Sequence, residues 1–322
     1  MSTEEITDDL TTRTENSPRE LLVRAFFFAC AVLSIVTTVA IALLLVTEAS
    51  KFFTSTAHLL GVEGETATIG EFLTGTKWRP NFSPHRFGVL PLVAATLMVV
   101  IGSAVIAIPL GTATAIYLSE YATPRARSFL KPALEILAGV PTVIYGFFAL
   151  VYVTPALSVI FPNISFFNML SASIVVGIMI TPMVASVSED AMSAVPDELR
   201  QAGYGMGATK YDVSVGVVLP AATSGIVSSY ILGLSRAIGE TMAVTLAAGA
   251  SAKLLLPVNP ASYLEGAMPM TAAMINLLTG DITGGGLAYR SLFAVGLALF
   301  VITLIMNIIS DLVAQHYREE YE

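Results

Sequence analysis

The residues of this chain best placed to do chemistry are Arg236 and Glu240, four apart inside the apolar stretch SRAIGETMAVTLAAGA. An ionised arginine at mid-membrane depth costs about 2.5–3.5 kcal/mol on insertion scales, so it faces a bundle interior or a wet cavity, usually with a partner. On a continuous helix Glu240 lies one turn from Arg236 on the same face, within ion-pair reach. Such a pair can simply neutralise itself. Replacing a buried pair by apolar residues is often harmless, however, so stability explains it poorly. The other reading is that Arg236 lowers the barrier to a crossing oxyanion, since a guanidinium offers planar paired donors and never deprotonates. Glu240 then holds Arg236 in place and limits how tightly the anion is bound, and Ser235 and Thr241 add hydroxyl donors.

Other chemistries lack their residues. His58, His85 and His316 are scattered, Cys30 is the single cysteine, and no HxxxH or CxxC spacing exists, so no metal site is expected. G-x-S-x-G, HExxH and paired mid-span aspartates are missing, which argues against an intramembrane hydrolase. GMGATK is not a phosphate-binding loop of the G-x-x-x-x-G-K-[ST] order, so the chain is expected to be no ATPase and to carry no cofactor.

The elements that must position these residues are membrane helices. Of 322 residues, 55% are hydrophobic and only 12% charged, with a mean hydropathy of +0.76. Soluble domains carry about 25% charged residues. Long apolar runs, each able to cross a core that needs roughly 20 residues, predict six spans at 25–47, 88–118, 132–156, 168–187, 215–249 and 291–315. An acidic tail (1–24) precedes a retained first span, and a long loop (48–87) separates it from the transmembrane domain (88–315). A short tail (316–322) closes the chain, and the stretch 269–279 reads as an amphipathic interfacial segment. The net charge of −8 argues against a nucleic-acid role. With the N-terminus inside, Arg13, Arg19, Arg24, Arg125, Arg127, Lys131, Arg200, Lys210 and Arg318 are cytoplasmic, against Lys51, Lys77, Arg79, Arg86, Lys253 and Arg290 outside. The bias places both termini in the cytoplasm of a cell-membrane protein.

The same topology puts a polar insert, 193–220, on the cytoplasmic side. Pro196 suits a helix start, and Asp197 and Glu198 suit its first turn. Leu199, Ala202 and Met206 recur at helical spacing as one apolar face. Gly205 and Gly207 permit a left-handed turn, and Thr209 with Asp212 forms a capping pattern before the apolar run 213–219. This is either a structured connector or a coupling helix that docks in a groove on a soluble partner.

The insert resembles the cytoplasmic E-A-A loop of ABC-importer permeases. Gln201-Ala202-Gly203 stands where E-A-A is expected, Gly207 takes the glycine position, and Leu219-Pro220 closes the motif. Gln201 departs from the family's glutamate, which removes its charge but not the helix-turn geometry. TKWRPNFSPHRFGVLPLV, LKPALEILAGVPTVIYGFFALVYV and SRAIGETMAVTLAAGA together resemble phosphate-specific importer permeases of the PstC type. The resemblance implies an all-α, six-helix MetI-like permease fold and half of a phosphate pathway. It implies Arg236 and Glu240 in phosphate passage, and Leu199, Gln201, Ala202, Gly203, Met206 and Gly207 in coupling to an ATPase. It also implies partners: a PstA-type permease, a PstB-type ATPase dimer that binds the ATP and Mg, a PstS-type extracytoplasmic binding protein, and membrane lipid. Two alternatives stay open, an ABC permease for another oxyanion and a proton-coupled secondary transporter with Glu240 as carrier. Six spans without a clear inverted repeat speak against the latter.

Overall fold

The computed structural model describes residues 18–58, 68–255, 259–280 and 286–316. Most of the acidic tail, the terminal segment 317–322 and most of the glycine run at 284–286 lie outside the described residues. Those residues hold five helices long and apolar enough to cross a membrane, and six when the bent pair Lys210–Ala221 and Thr223–Ile238 counts as one span.

Helix α1, Pro18–His58, is longer than the span read from hydropathy, and its apolar middle lies on the outside of the bundle. Its far end turns inward, where Phe52 meets Phe53, Phe72 and Phe87 edge to face. Residues 48–58 of the expected loop are therefore helix. The described remainder is a short helix, α2 (Ile69–Thr74), and a hairpin of β1 (Trp78–Arg79) on β2 (Arg86–Phe87), with Trp78 opposite Phe87.

The centre of the fold is α3, Leu90–Ile116, packed along a long antecedent of the insert that begins at Met169 and ends at Ser193. Close approach is built on small residues. A Cβ on Gly102 would fall 2.4 Å from Ser173 Oγ, and one on Gly111 would fall 2.6 Å from Val184 Cγ1. At its end α3 widens into a π-helical turn, Tyr117–Tyr121.

The third span departs from expectation. Residues 124–138 form a separate amphipathic helix, α4 (Pro124–Ala138), with no buried residue, and the span itself runs Thr142–Ile160. It comprises α5 (Thr142–Phe148), a π-helical turn and α6 (Thr154–Ile160). The cause is local: Gly139 caps α4, and Pro141 cannot donate the N–H that continuation requires. The fourth span, α7 (Met169–Ser193), is capped by Asn168, whose Oδ1 accepts the Ser171 N–H at 2.7 Å.

The fifth span is not one helix either. After the insert helix α8 (Asp197–Gly205), α9 (Lys210–Val213) runs through a π-helical turn to α10 (Leu219–Ala221), and α11 (Thr223–Ile238) leaves at 70°. Pro220 and the preceding π turn, Ser214–Val218, supply the bend. A third piece, α12 (Met242–Ala248), follows a break at Gly239–Thr241. The stretch expected at the interface is instead lodged in the protein. In α13 (Met270–Thr279), Met270, Thr271, Ala272, Ala273 and Leu277 are buried, and the Met270 N–H donates to Thr96 Oγ1 of α3 at 3.0 Å. The last span is α14, Leu287–His316, which packs on α1 and α11.

Candidate functional site

Arg236 lies in the last turn of α11, where a cation is favoured by the helix dipole. Its side chain is exposed on this chain, as are Leu232 one turn earlier and Met242 at the start of α12. Among the described residues it makes no hydrogen bond and no ion pair. On α5, the Tyr145 hydroxyl donates to Leu137 O at 2.9 Å.

The expected Arg236–Glu240 pair is not formed. The helix on which both were to share a face stops at Ile238, and Gly239 closes it by donating its N–H to Ser235 O. Glu240 then faces inward, 8% exposed, and its Oε1 accepts the Ala243 N–H at 3.1 Å. It satisfies a free N–H at the start of α12, which is the usual use of a carboxylate there. Its carbonyl accepts from Thr271 Oγ1 of α13 at 2.8 Å. Ser235 donates to Asn307 Oδ1 of α14 at 3.1 Å, and Thr241 donates to Gly239 O at 3.1 Å. The structure thus gathers Ser235, Arg236, Glu240 and Thr241 around one helix break, with Glu240 as its internal brace rather than the arginine's counter-ion. Asn307, Thr271 and Tyr145 carry no sequence signal, because they come from elements far along the chain.

At the other end of the fold, the insert is a helix–turn–helix. Gly207 takes φ +85°, the left-handed region its type permits. Thr209 and Asp212 form the expected capping box. The Thr209 hydroxyl and N–H, both bonded to the Asp212 carboxylate, hold that carboxyl below its ordinary value. Of the expected apolar face, Met206 is 85% exposed and Ala202 and Gln201 are exposed, but Leu199 is half-buried against the chain's own Val195, Val213 and Val218 cluster. Gly203 is buried, and a Cβ there would meet Val213 Cγ2 at 2.9 Å. Leu199 and Gly203 therefore seat the helix on its own span. The free face is made by Ala202, Met206 and, beyond the turn, Tyr211.

Around the insert lies a charge network absent from the sequence reading. Glu189, fully buried in the last turns of α7, accepts from Arg127 and, at 2.6 Å, from Lys131, both on α4. Lys131 also bonds Asp190 at 2.8 Å, and these bonds, Asp190 first and Glu189 next, raise its ammonium above the ordinary lysine value. Arg200 of α8 donates to Met192 O at 2.7 Å, to Val195 O, to Asp197 Oδ1 at 3.3 Å and to Glu120 Oε1 at 3.2 Å. The four-residue spacing of Arg127 and Lys131, and a glutamate at the end of an apolar run, were the available signals.

Residues 107–319 match the family described as binding-protein-dependent transport system inner membrane component. The chain belongs to this family. The permease is 34% identical over 282 residues to a probable ABC transporter permease protein, YqgH, of Bacillus subtilis, covering 88% of this chain and 86% of the relative. It is 34% identical to the phosphate transport system permease protein PstC of Haemophilus influenzae, covering 76% and 80%. With PstC of Mesorhizobium japonicum the identity is 31%, covering 90% and 91%. A bacterial ABC transporter that imports the acidic polysaccharide alginate shares the fold at TM-score 0.63 and 13% identity, over 94% of this chain and 97% of that one. The permease is thus a multi-pass inner-membrane component of an ABC transport system, with a MetI-like arrangement of helices. Both the insert and Arg236 fall within the matched stretch.

Proposed function

We propose that this permease is the PstC-type subunit of an ATP-driven phosphate importer and forms half of the pathway for inorganic phosphate. The observation that carries this is Arg236: an exposed guanidinium with no counter-ion among the described residues, at the break of a membrane helix. An ion pair would hide the fork of donors that an oxyanion needs. The similarity to proteins named PstC supports phosphate as that oxyanion. Ser235 precedes Arg236 on α11, Thr241 ends the break, and Glu240 fixes the helix break that presents the guanidinium.

The exposed surface at Arg236 is completed by a PstA-type permease, so that one pathway is built from two halves. ATP and Mg bind to a PstB-type ATPase dimer, which engages Ala202, Met206 and Gly207 of the insert, with Gln201 in the position of the family's glutamate. A PstS-type extracytoplasmic protein delivers phosphate to the opposite end. In this arrangement the insert and both termini are cytoplasmic, the outer surfaces of the spans face lipid, and nucleic acid has no part.

The test is uptake by the reconstituted four-component complex. Phosphate, and neither sulfate nor molybdate, is expected to stimulate ATP hydrolysis through the loaded binding protein. Arg236→Gln is expected to leave assembly intact and abolish uptake. Normal phosphate uptake by that variant overturns the pathway role, and stimulation by sulfate or molybdate instead reassigns the oxyanion.

A further inference from the structure

We propose that the insert drives α3 as well as the two helices it is covalently joined to, and that the π-helical turn Tyr117–Tyr121 is where it takes hold. This rests on the reading of the insert as the ATPase-docking element. Glu120 and Arg200 are 80 positions apart, yet Arg200 Nη2 donates to Glu120 Oε1 at 3.2 Å. Both side chains are nearly sealed from water, Arg200 14% and Glu120 5% exposed. Ser119 Oγ donates to the same carboxylate oxygen at 3.0 Å. The second arm of the insert reaches the adjacent residue, with Lys210 Nζ 5.1 Å from the centre of the Tyr121 ring. Both arms of the helix–turn–helix thus close on one turn of α3.

A buried ion pair is a poor source of stability compared with apolar packing. It does fix the relative position of the two groups, because a hydrogen-bonded pair tolerates little displacement. The π turn presents Glu120 inward at that point, and such turns recur at functional places in helices. The covalent route from the insert to Arg236 passes through the 70° bend between α10 and α11. A bent joint transmits thrust along its axis badly. The route through α3 avoids it: α3 packs along α7, and Thr112 Oγ1 of α3 is 2.7 Å from the Tyr230 hydroxyl of α11. Arg200 and Glu120 are therefore positioning residues, acting on the pathway through α3.

The experiment uses the complete transporter in proteoliposomes with loaded binding protein, reading phosphate moved per ATP hydrolysed. Glu120→Gln keeps the shape of the side chain and leaves Arg200 its carbonyl acceptors. It lowers thermal stability, as breaking any buried pair does, but in the complex that assembles it is expected to lower uptake per ATP about fivefold or more with basal hydrolysis unchanged, and Glu120→Asp is expected to restore part of the loss. A general structural role would instead lower uptake and hydrolysis together and leave their ratio alone, and that outcome overturns the proposal. If Glu120→Gln does not assemble, Tyr121→Leu, which removes the ring without stranding a charge, is read in the same way. Gly207→Pro separates the two levels, because it breaks the insert turn itself. Uncoupling by Gly207→Pro alone overturns the α3 link and keeps the docking role. Coupling intact in both variants overturns the docking role as well.

Discussion

Arg200 and Arg236 carry the same side chain and are treated oppositely. Arg200 is nearly buried and bound to four acceptors, two of them backbone carbonyls. Arg236 is exposed and bound to none of the described residues. The surroundings follow suit. At the insert end, Glu120 and Glu189 are buried with cations supplied by other helices. At the helix break, the one carboxylate within reach in sequence, Glu240, is turned away to cap α12. A saturated guanidinium holds elements in register. An unsaturated one has donors left for a ligand that comes and goes, which is the contrast the proposed division between a transmitting insert and a conducting helix break requires.

The comparison breaks most sharply at Arg236. Arg236→Gln removes a charged partner from a bound oxyanion, a loss of about 30-fold or more in uptake, while the thermal stability of the complex stays near wild type because Arg236 bonds to none of the described residues. Arg236→Lys is expected to recover only part of it, since an ammonium has no planar fork. Equal uptake by both variants and wild type would remove Arg236 from the pathway.

Glu189→Gln should do the reverse. It leaves Arg127 and Lys131 facing an uncharged group, and breaking a buried pair costs about 3–5 kcal/mol. The lower end applies here because both cations are partly exposed. The reading is a fall in the midpoint of thermal unfolding in detergent, with α4 becoming accessible to protease first, since none of its residues is fully buried. An unchanged midpoint would mean the network is not what holds α4. The Lys131 link also has a pH sign. Its raised value means that the stabilisation is complete below the ordinary lysine range and is lost only as pH rises through the raised value, so neutral and mildly alkaline buffers should not release α4.

The smallest effect belongs to Thr209→Ala. Asp212 is held low by Thr209, so this cap contributes above the ordinary aspartate value and is lost as pH falls through the lowered one. The substitution is expected to move the acid end of the stability profile slightly toward neutral pH and to leave uptake per ATP nearly unchanged, because the box is exposed and water screens it. A loss of coupling as large as that from Gly207→Pro would show that the cap, and not the turn, sets the insert's shape.

Much of this was legible in the chain. Apolar run length, the insert at 193–220, a glycine at the turn and the Thr209–Asp212 box are signals contained in one continuous stretch of chain each. Each rests on physics of the same range: transfer into hydrocarbon, one φ angle, one capping bond. The placement of Arg236 in an apolar stretch was likewise visible, and so was the likeness to permeases.

What only the folded chain decided is which charges meet. Helical spacing pairs Arg236 with Glu240, but that pairing requires a helix which Gly239 ends. The Glu120–Arg200 and Glu189–Lys131 contacts join residues 80 and 58 positions apart. No local rule reaches that far. Amino-acid type settles where a segment sits and what each side chain is able to bind, whereas the partner it finds depends on how helices separated along the chain are packed together.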